Sequence, residues 1–296
     1  MTTSPEAILC ENCVTGYDGI GAVTRQPDGQ LLCDECAKWK LNPAHDYSRF
    51  ADELQELLKQ KAHGKWAHIM GFSGGLDSTC ALKLLVEEHA VRPLLAHIDN
   101  GFRPETVLRN ITNIRDHYGL DLLILNRSVV AMIQAEFGPG TLFCGPDCTD
   151  RWLNPSLAEA CEVGGFPYCL TGNEVVRRNS ILRPGTPPRV DVMAAHLMRK
   201  DKQRAFIANL PWSDPGLYGY DSDCAYAGYG LDRYYKVHRS WPAIVIRHLS
   251  DRIRIGVLDR ETELRRLLAG PCLSAEQDAF AVGRIAALPA ISQRSP

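Results

Sequence analysis

Ser73-Gly74-Gly75-Leu76-Asp77-Ser78 is the stretch on which the reading of this chain turns. An apolar run, Ala67 to Phe72, interrupted only by His68, leads into it. Good helix formers with Leu82, Leu84, Leu85 and Val86 lead out. The pattern is strand, glycine turn, helix. Two adjacent glycines let the backbone turn tightly and come close to a ligand. A helix that starts there presents unpaired N–H groups and the positive end of its dipole, which suits phosphate. Ser73, Ser78 and Thr79 add hydroxyls, and Asp77 can hold the magnesium that accompanies a nucleotide. The turn carries neither Gly-x-x-x-x-Gly-Lys-Ser/Thr nor Gly-x-Gly-x-x-Gly, so the P-loop and dinucleotide fingerprints are excluded here.

Downstream, Arg92 to Gly101 reads as a second buried strand that ends in Asp99-Asn100-Gly101. A helix is expected from Pro104, a favoured first position, to Gly119, with Val107, Ile111, Ile114 and Tyr118 on its inner face. Asp121–Asn126 is a third strand and Pro167–Thr171 a fourth, followed by Gly172-Asn173-Glu174. Strands alternating with helices imply right-handed crossovers and a doubly wound parallel sheet, an α/β class, with ligands at the carboxyl ends of the strands. That rule brings Phe72–Thr79, His97-Ile98-Asp99 and Gly172–Glu174 to one cleft as candidate nucleotide contacts. Arg177 and Arg178 open a basic run that continues through Arg183, Arg189, Arg199, Lys200, Lys202 and Arg204. Such a run is either a solvated face or a set of contacts to substrate phosphates.

Upstream, Cys10-Glu-Asn-Cys13 and Cys33-Asp-Glu-Cys36 are two Cys-x-x-Cys knuckles with nineteen residues between them. Asp28-Gly29 marks a hairpin turn in that loop. Four thiolates so spaced can close a tetrahedral zinc site with no position left for catalysis, so a structural zinc ribbon is expected over residues 1–42. A helix over 44–62, with Phe50, Leu54, Leu57 and Leu58 on one face, would pack that ribbon against the main domain. The nucleotide domain then spans 43–208. An extension over 209–296 begins with Trp212, Tyr218, Tyr220, Tyr226, Tyr229, Tyr234 and Tyr235 among many glycines, which reads as an irregular cover for the cleft. One or two helices over 243–268 close the chain, and the end after Leu288 is expected to fray.

Composition narrows the classes. The 296 residues are 45% hydrophobic and 23% charged with a net charge of −2, ordinary for a globular protein and no footprint of a nucleic-acid binder. No apolar run reaches membrane-spanning length, and Met-Thr-Thr-Ser-Pro-Glu lacks the features of a signal peptide. A cytoplasmic protein with no membrane partner is expected, and its eleven cysteines should be reduced, metal-bound or reactive.

The six-residue turn resembles the Ser-Gly-Gly-x-Asp-Ser signature of the PP-loop ATP pyrophosphatases. That resemblance implies a loop that grips the pyrophosphate end of ATP while the α-phosphate is attacked, giving an adenylated substrate and pyrophosphate. The order of pieces is similar to the N-acetyl sugar amidotransferase branch. The shared features are the paired knuckles, the loop, Asp99-Asn100-Gly101-Phe102 with Arg109-Asn110-Ile111, and a cysteine-bearing loop ahead of Thr171-Gly172-Asn173-Glu174. That branch aminates a sugar's acetamido group with ammonia from a separate glutaminase subunit. A second resemblance, in layout, is to zinc-bearing PP-loop sulfurtransferases, in which a cysteine pair and a later lone cysteine hold a [4Fe–4S] cluster with one iron open for sulfur. Cys144, Cys148 and Cys224 stand in that order, although the pair is spaced Cys-x3-Cys. The resemblance thus implies ATP, Mg2+ and Zn2+, and the extra cysteines tilt the reading toward replacement of a carbonyl or amide oxygen by sulfur, with a [4Fe–4S] cluster and a sulfur-donor protein, over ammonia transfer. The near-neutral charge favours a small-molecule substrate over tRNA. A homodimer is open, and so is a third class, a non-catalytic nucleotide-binding module, although the intact Ser73, Asp77 and Ser78 speak against it.

Overall fold

The computed structural model describes residues 8–41, 47–127, 153–174, 180–216 and 224–288. After a 3-10 turn at Tyr17–Gly19, the first strands of the described residues form an antiparallel hairpin, β1 (Val23–Arg25) and β2 (Leu31–Cys33), followed by helix α1 (Asp34–Leu41). The hairpin reverses at Asp28-Gly29, where Asp28 Oδ1 accepts from the Gln30 N–H at 3.1 Å and Gly29 takes φ +89°, a backbone that glycine adopts without strain. Helix α2 (Ser48–Leu57) follows and buries Phe50, Leu54 and Leu57.

Next come β3 (Ile69–Gly71), α3 (Leu76–Lys83) running into one π turn (Leu84–Glu88), β4 (Leu94–Asp99), α4 (Glu105–Tyr118) and β5 (Leu122–Asn126). After these stand α5 (Asn154–Val163), β6 (Cys169–Thr171), the short strands β7 (Leu182–Arg183) and β8 (Arg189–Asp191), α6 (Val192–Ala195) and α7 (Lys200–Phe206). The strands form one sheet in the order β5-β4-β3-β6-β8-β7, parallel except for β7 against β8. This is the α/β, doubly wound architecture that the alternation of strands and helices implies. β4 and β5 lie on one side of β3 and β6 on the other. The strand order reverses there, so the crevice opens at the carboxyl ends of β3 and β6.

One core joins α2, α3, α4 and the sheet through Phe50, Leu54, Met70, Leu82, Leu95, Ile114, Val190 and Met193. A second gathers Cys10, Cys13, Leu32, Cys33 and Cys36 of the ribbon with Leu231, Trp241, Val245, Leu249 and Leu267. Leu231, Val245, Leu249 and Leu267 belong to α8 (Ala225–His238), α9 (Ala243–Arg254) and α10 (Arg260–Ala269), and α11 (Ala275–Ala286) is the last helix among the described residues.

Three expectations change, the first being that the helices expected to close the chain over 243–268 are followed by another, α11. Helix α2 packs in the sheet's own core, and the ribbon leans on the C-terminal helices instead; the apolar face of α2 carries no sign of which neighbour it meets. The aromatic stretch from Cys224 onward, expected to be irregular, is helix α8 in spite of Gly228 and Gly230, both buried within it. Each glycine costs a helix interior about 1 kcal/mol relative to alanine, which burial of Ala225, Tyr226 and Leu231 offsets.

Candidate active site and four-thiol centre

The Ser73–Ser78 turn follows β3 directly. Phe72 is buried, and its N–H donates to the Ala96 carbonyl at 2.9 Å, which extends the β3–β4 ladder one residue. Gly74 takes φ +78°, and a Cβ there would meet Ile111 Cγ1 at 2.7 Å and the Val107 carbonyl oxygen at 2.8 Å. Only glycine lets the turn lie this close to α4. The Gly74 carbonyl accepts from Trp212 Nε1 at 3.0 Å and Asn110 Nδ2 at 3.3 Å. Gly75 precedes α3 with no side-chain cap, and the amides of a helix's first turn have no intrahelical acceptors. The hydroxyls are drawn inward. Ser73 Oγ accepts from the Gly75 N–H at 3.3 Å and lies 3.1 Å from Ser78 Oγ, while Thr79 Oγ1 donates to the Gly75 carbonyl at 2.8 Å.

The turn after β6 closes on this helix start. A Cβ on Gly172 would stand 2.7 Å from Ser78 Cα and 2.8 Å from Ser78 N, so Gly172 is required by close backbone approach. Thr171 Oγ1 donates to Asp191 Oδ1 at 2.9 Å, and Asn173 and Arg183 also hydrogen-bond the Asp191 carboxylate. Burial pushes the Asp191 carboxyl above its usual range, with Arg183 pulling the other way. Glu174 is 1% exposed. Its Oε2 accepts from Lys200 Nζ at 3.0 Å and Gln203 Nε2 at 3.2 Å, and Arg252 Nε lies 2.8 Å from its Oε1. The same Lys200 ammonium also pairs with Asp77 Oδ1 at the head of α3. A carboxylate this deeply buried is tolerable only with such partners.

Of the residues selected from sequence, the structure brings Ser73–Thr79 and Gly172–Glu174 together at the crevice. His97 is buried, with Nδ1 3.0 Å from the Phe72 carbonyl oxygen, so it ties β4 to the start of the turn. Ile98 is buried and Asp99 half-buried, and Asp99 Oδ1 accepts from the Gly101 N–H at 2.8 Å. Cys224 is buried just before α8; Asn100 Nδ2 donates to its sulfur at 3.3 Å, and the Ala225 N–H donates to the Phe102 carbonyl at 3.0 Å. The lone late cysteine therefore lies against the turn that follows β4. Cys144, Cys148, Arg177 and Arg178 fall outside the described residues. The described part of the basic run divides: Arg183 neutralises Asp191, Arg199 and Arg204 pair with Asp201 and Asp214, and Lys200 reaches the Ser73–Ser78 turn. Lys200 and Arg252 are the site residues that sequence reasoning did not single out. Lys200 was hidden among like charges, and Arg252 lies far along the chain with no motif around it.

The second centre is the ribbon. The sulfurs of Cys10, Cys13, Cys33 and Cys36 all lie within 4.8 Å of one another and are buried. The Cys13–Cys33 separation is 3.7 Å, against the edge of about 3.8 Å expected of a tetrahedron with Zn–S near 2.3 Å. The Thr15 N–H donates to Cys13 Sγ and the Cys36 N–H to Cys33 Sγ, at 3.4 and 3.5 Å. Hydrogen bonding among the thiols lowers Cys13 and Cys33 and raises Cys10 and Cys36. Without a cation the four cannot all ionise at one place. The donor set fits a closed metal site of four cysteines.

No family model matches this sequence. An uncharacterized protein of Methanocaldococcus jannaschii is 28% identical over 244 residues, which is 81% of this chain and 86% of that protein. Among solved structures, the U34-tRNA thiolase NcsA from Methanococcus maripaludis with its [4Fe–4S] cluster is similar with a TM-score of 0.38 and 13% identity, over 85% of this chain and 89% of that one. The phosphoadenylyl-sulfate reductase from Candida auris, in a phosphate complex, gives a TM-score of 0.38 and 14% identity, over 65% and 91%.

Proposed function

We propose that this protein is an ATP-dependent transferase that splits ATP between the α- and β-phosphates at Ser73–Ser78, adenylates a carbonyl or amide oxygen of a small substrate, and replaces that oxygen with sulfur. The observation that carries the reading is the construction of the crevice. An uncapped helix start lies between two glycines that tolerate no Cβ, Gly74 and Gly172, and one lysine and one carboxylate, Lys200 and Asp77, meet at its head. Backbone amides, an ammonium and a carboxylate able to carry magnesium are what a departing pyrophosphate needs as charge builds on it. The substrate oxygen attacks the α-phosphorus, the α–β bridging oxygen leaves with pyrophosphate, and the adenylated carbon then accepts the nucleophile as AMP departs. Lys200 would turn from Asp77 toward the phosphates. The four-thiol centre would hold zinc and keep the ribbon folded.

Sulfur is preferred to ammonia because Cys224 is held at the turn after β4, beside the crevice where the adenylated carbon would form. Together with Cys144 and Cys148 it would make a three-thiolate set, which leaves one iron of a [4Fe–4S] cluster open to sulfide. Protein purified without oxygen should then be brown, with about four iron atoms per chain in addition to zinc. Cys224→Ala should remove iron and colour while zinc stays. Colourless anaerobic protein that consumes ATP with ammonium, and not with sulfide, overturns the sulfur reading in favour of amide transfer. A sulfur-donor protein or a glutaminase subunit is the partner expected in each case.

A further inference from the structure

Helix α9 carries two arginines two positions apart, and they reach in opposite directions. Residues i and i+2 of an α-helix are about 200° apart around its axis, so they cannot serve the same neighbour. Arg254 turns to the ribbon: Nε donates to Cys36 Sγ at 3.4 Å, Nη2 lies 4.0 Å from Cys33 Sγ, and Nη1 is fixed by Asp251 at 2.8 Å. Arg252 turns to the crevice and meets Glu174, which holds Lys200 against Asp77. The turn after α9 repeats the arrangement. Val257 accepts at its carbonyl from the Lys200 N–H at 3.3 Å. Arg260 donates from Nη2 to the Cys10 carbonyl at 2.9 Å and from Nε to the Cys13 carbonyl at 3.0 Å. One segment, residues 252–260, is thus clamped between the four thiols and the residues that set the head of α3.

We infer that Arg252 is a positioning residue for the phosphate turn, and that Arg254 makes its placement depend on the four-thiol centre. This rests on the reading of Ser73–Ser78 as the ATP site. Without Arg252, the buried Glu174 carboxylate would lose the cation at Oε1 and no longer be held in place against Lys200. Cys36 Sγ accepts from the Arg254 guanidinium, with Cys33 Sγ beside it and Asp251 on the other side, and these contacts fix the rotation of α9 about its axis. That rotation aims Arg252. A ribbon that served only to stabilise its own hairpin would need no such second arm.

The test is a double-mutant cycle read by calorimetric binding of magnesium ATP to the full chain, with zinc content and melting temperature measured on every sample. Arg252→Ala and Arg254→Met should each weaken binding by about tenfold. The double variant should lose no more than the worse single one, because both changes break the same connection. Arg252→Lys, which keeps a cation beside Glu174, should stay within about threefold of the parent. Losses that multiply in the double variant, or an Arg252→Ala protein that binds ATP as the parent does, overturn the inference. A parent protein that binds no magnesium ATP overturns instead the assignment of the site itself, and the inference falls with it.

Discussion

The sheet around Met70 and Leu95 is covered by its own helices, α2, α3 and α4, whereas the hairpin β1–β2 has four cysteines, Val14 and Leu32 beneath it and otherwise borrows Trp241, Val245 and Leu249 from the far end of the chain. The thiols form a closed set, buried and answered by backbone N–H groups and one guanidinium. The head of α3 is open by contrast: its charges converge on a turn and not on one another alone, with Asp77 still partly accessible beside Lys200. The difference matches the roles proposed for them, one centre that would hold structure and one that would take a ligand, although α9 touches both.

The comparison can be broken most forcefully at the ribbon. Cys36→Ser would remove one of the four proposed zinc ligands, and since a structural metal contributes folding energy outright, zinc content should fall together with a drop in melting temperature of at least about 10 °C. Full zinc occupancy with unchanged melting in that variant means that the cysteines do not form a metal site. A second change separates stability from ligand binding. Gly172→Ala forces a methyl group against the backbone of Ser78, so magnesium ATP should bind about tenfold more weakly, at a stability cost of about 1–3 kcal/mol. Unaltered ATP affinity there would show that the turn after β6 is no part of the site.

The smallest effect concerns pH. Burial holds His68 and His196 below the ordinary imidazole value, so the native state keeps them neutral where the unfolded chain takes up protons. Their contribution is full above about pH 6.5 and is lost as pH falls through the lower native values. Denaturant midpoints should therefore fall between about pH 7.5 and about pH 5.5, and His68→Asn should flatten that slope. A slope unchanged by that substitution assigns the loss to other groups.

Much of this was legible in the chain itself. The Ser73–Ser78 turn, the alternation that gives a parallel sheet, and the knuckles at Cys10–Cys13 and Cys33–Cys36 all speak through local pattern. Gly74 and Gly172 were visible as glycines, but the reason for them, contact with α4 and with the start of α3, is tertiary. Lys200 and Arg252 were not legible as site residues, because neither sits in a motif and their meeting at Glu174 depends on how the C-terminal helices fold back. Helix α11 did carry a signal that could have been read: Ser274 and Gln277 form a capping box ahead of an apolar run. Helix α8 carried the opposite signal, since glycine and tyrosine spacing favours irregular structure until burial outweighs it.

The central claim is the position at which ATP is cut. Anaerobic protein supplied with sulfide, a filtered small-molecule cell extract, and ATP labelled separately at the α- and γ-phosphates reports this directly. The account predicts that α-label appears in AMP and γ-label in pyrophosphate, and that Asp77→Ala lowers both by at least about a hundredfold. Label in ADP and orthophosphate would contradict it.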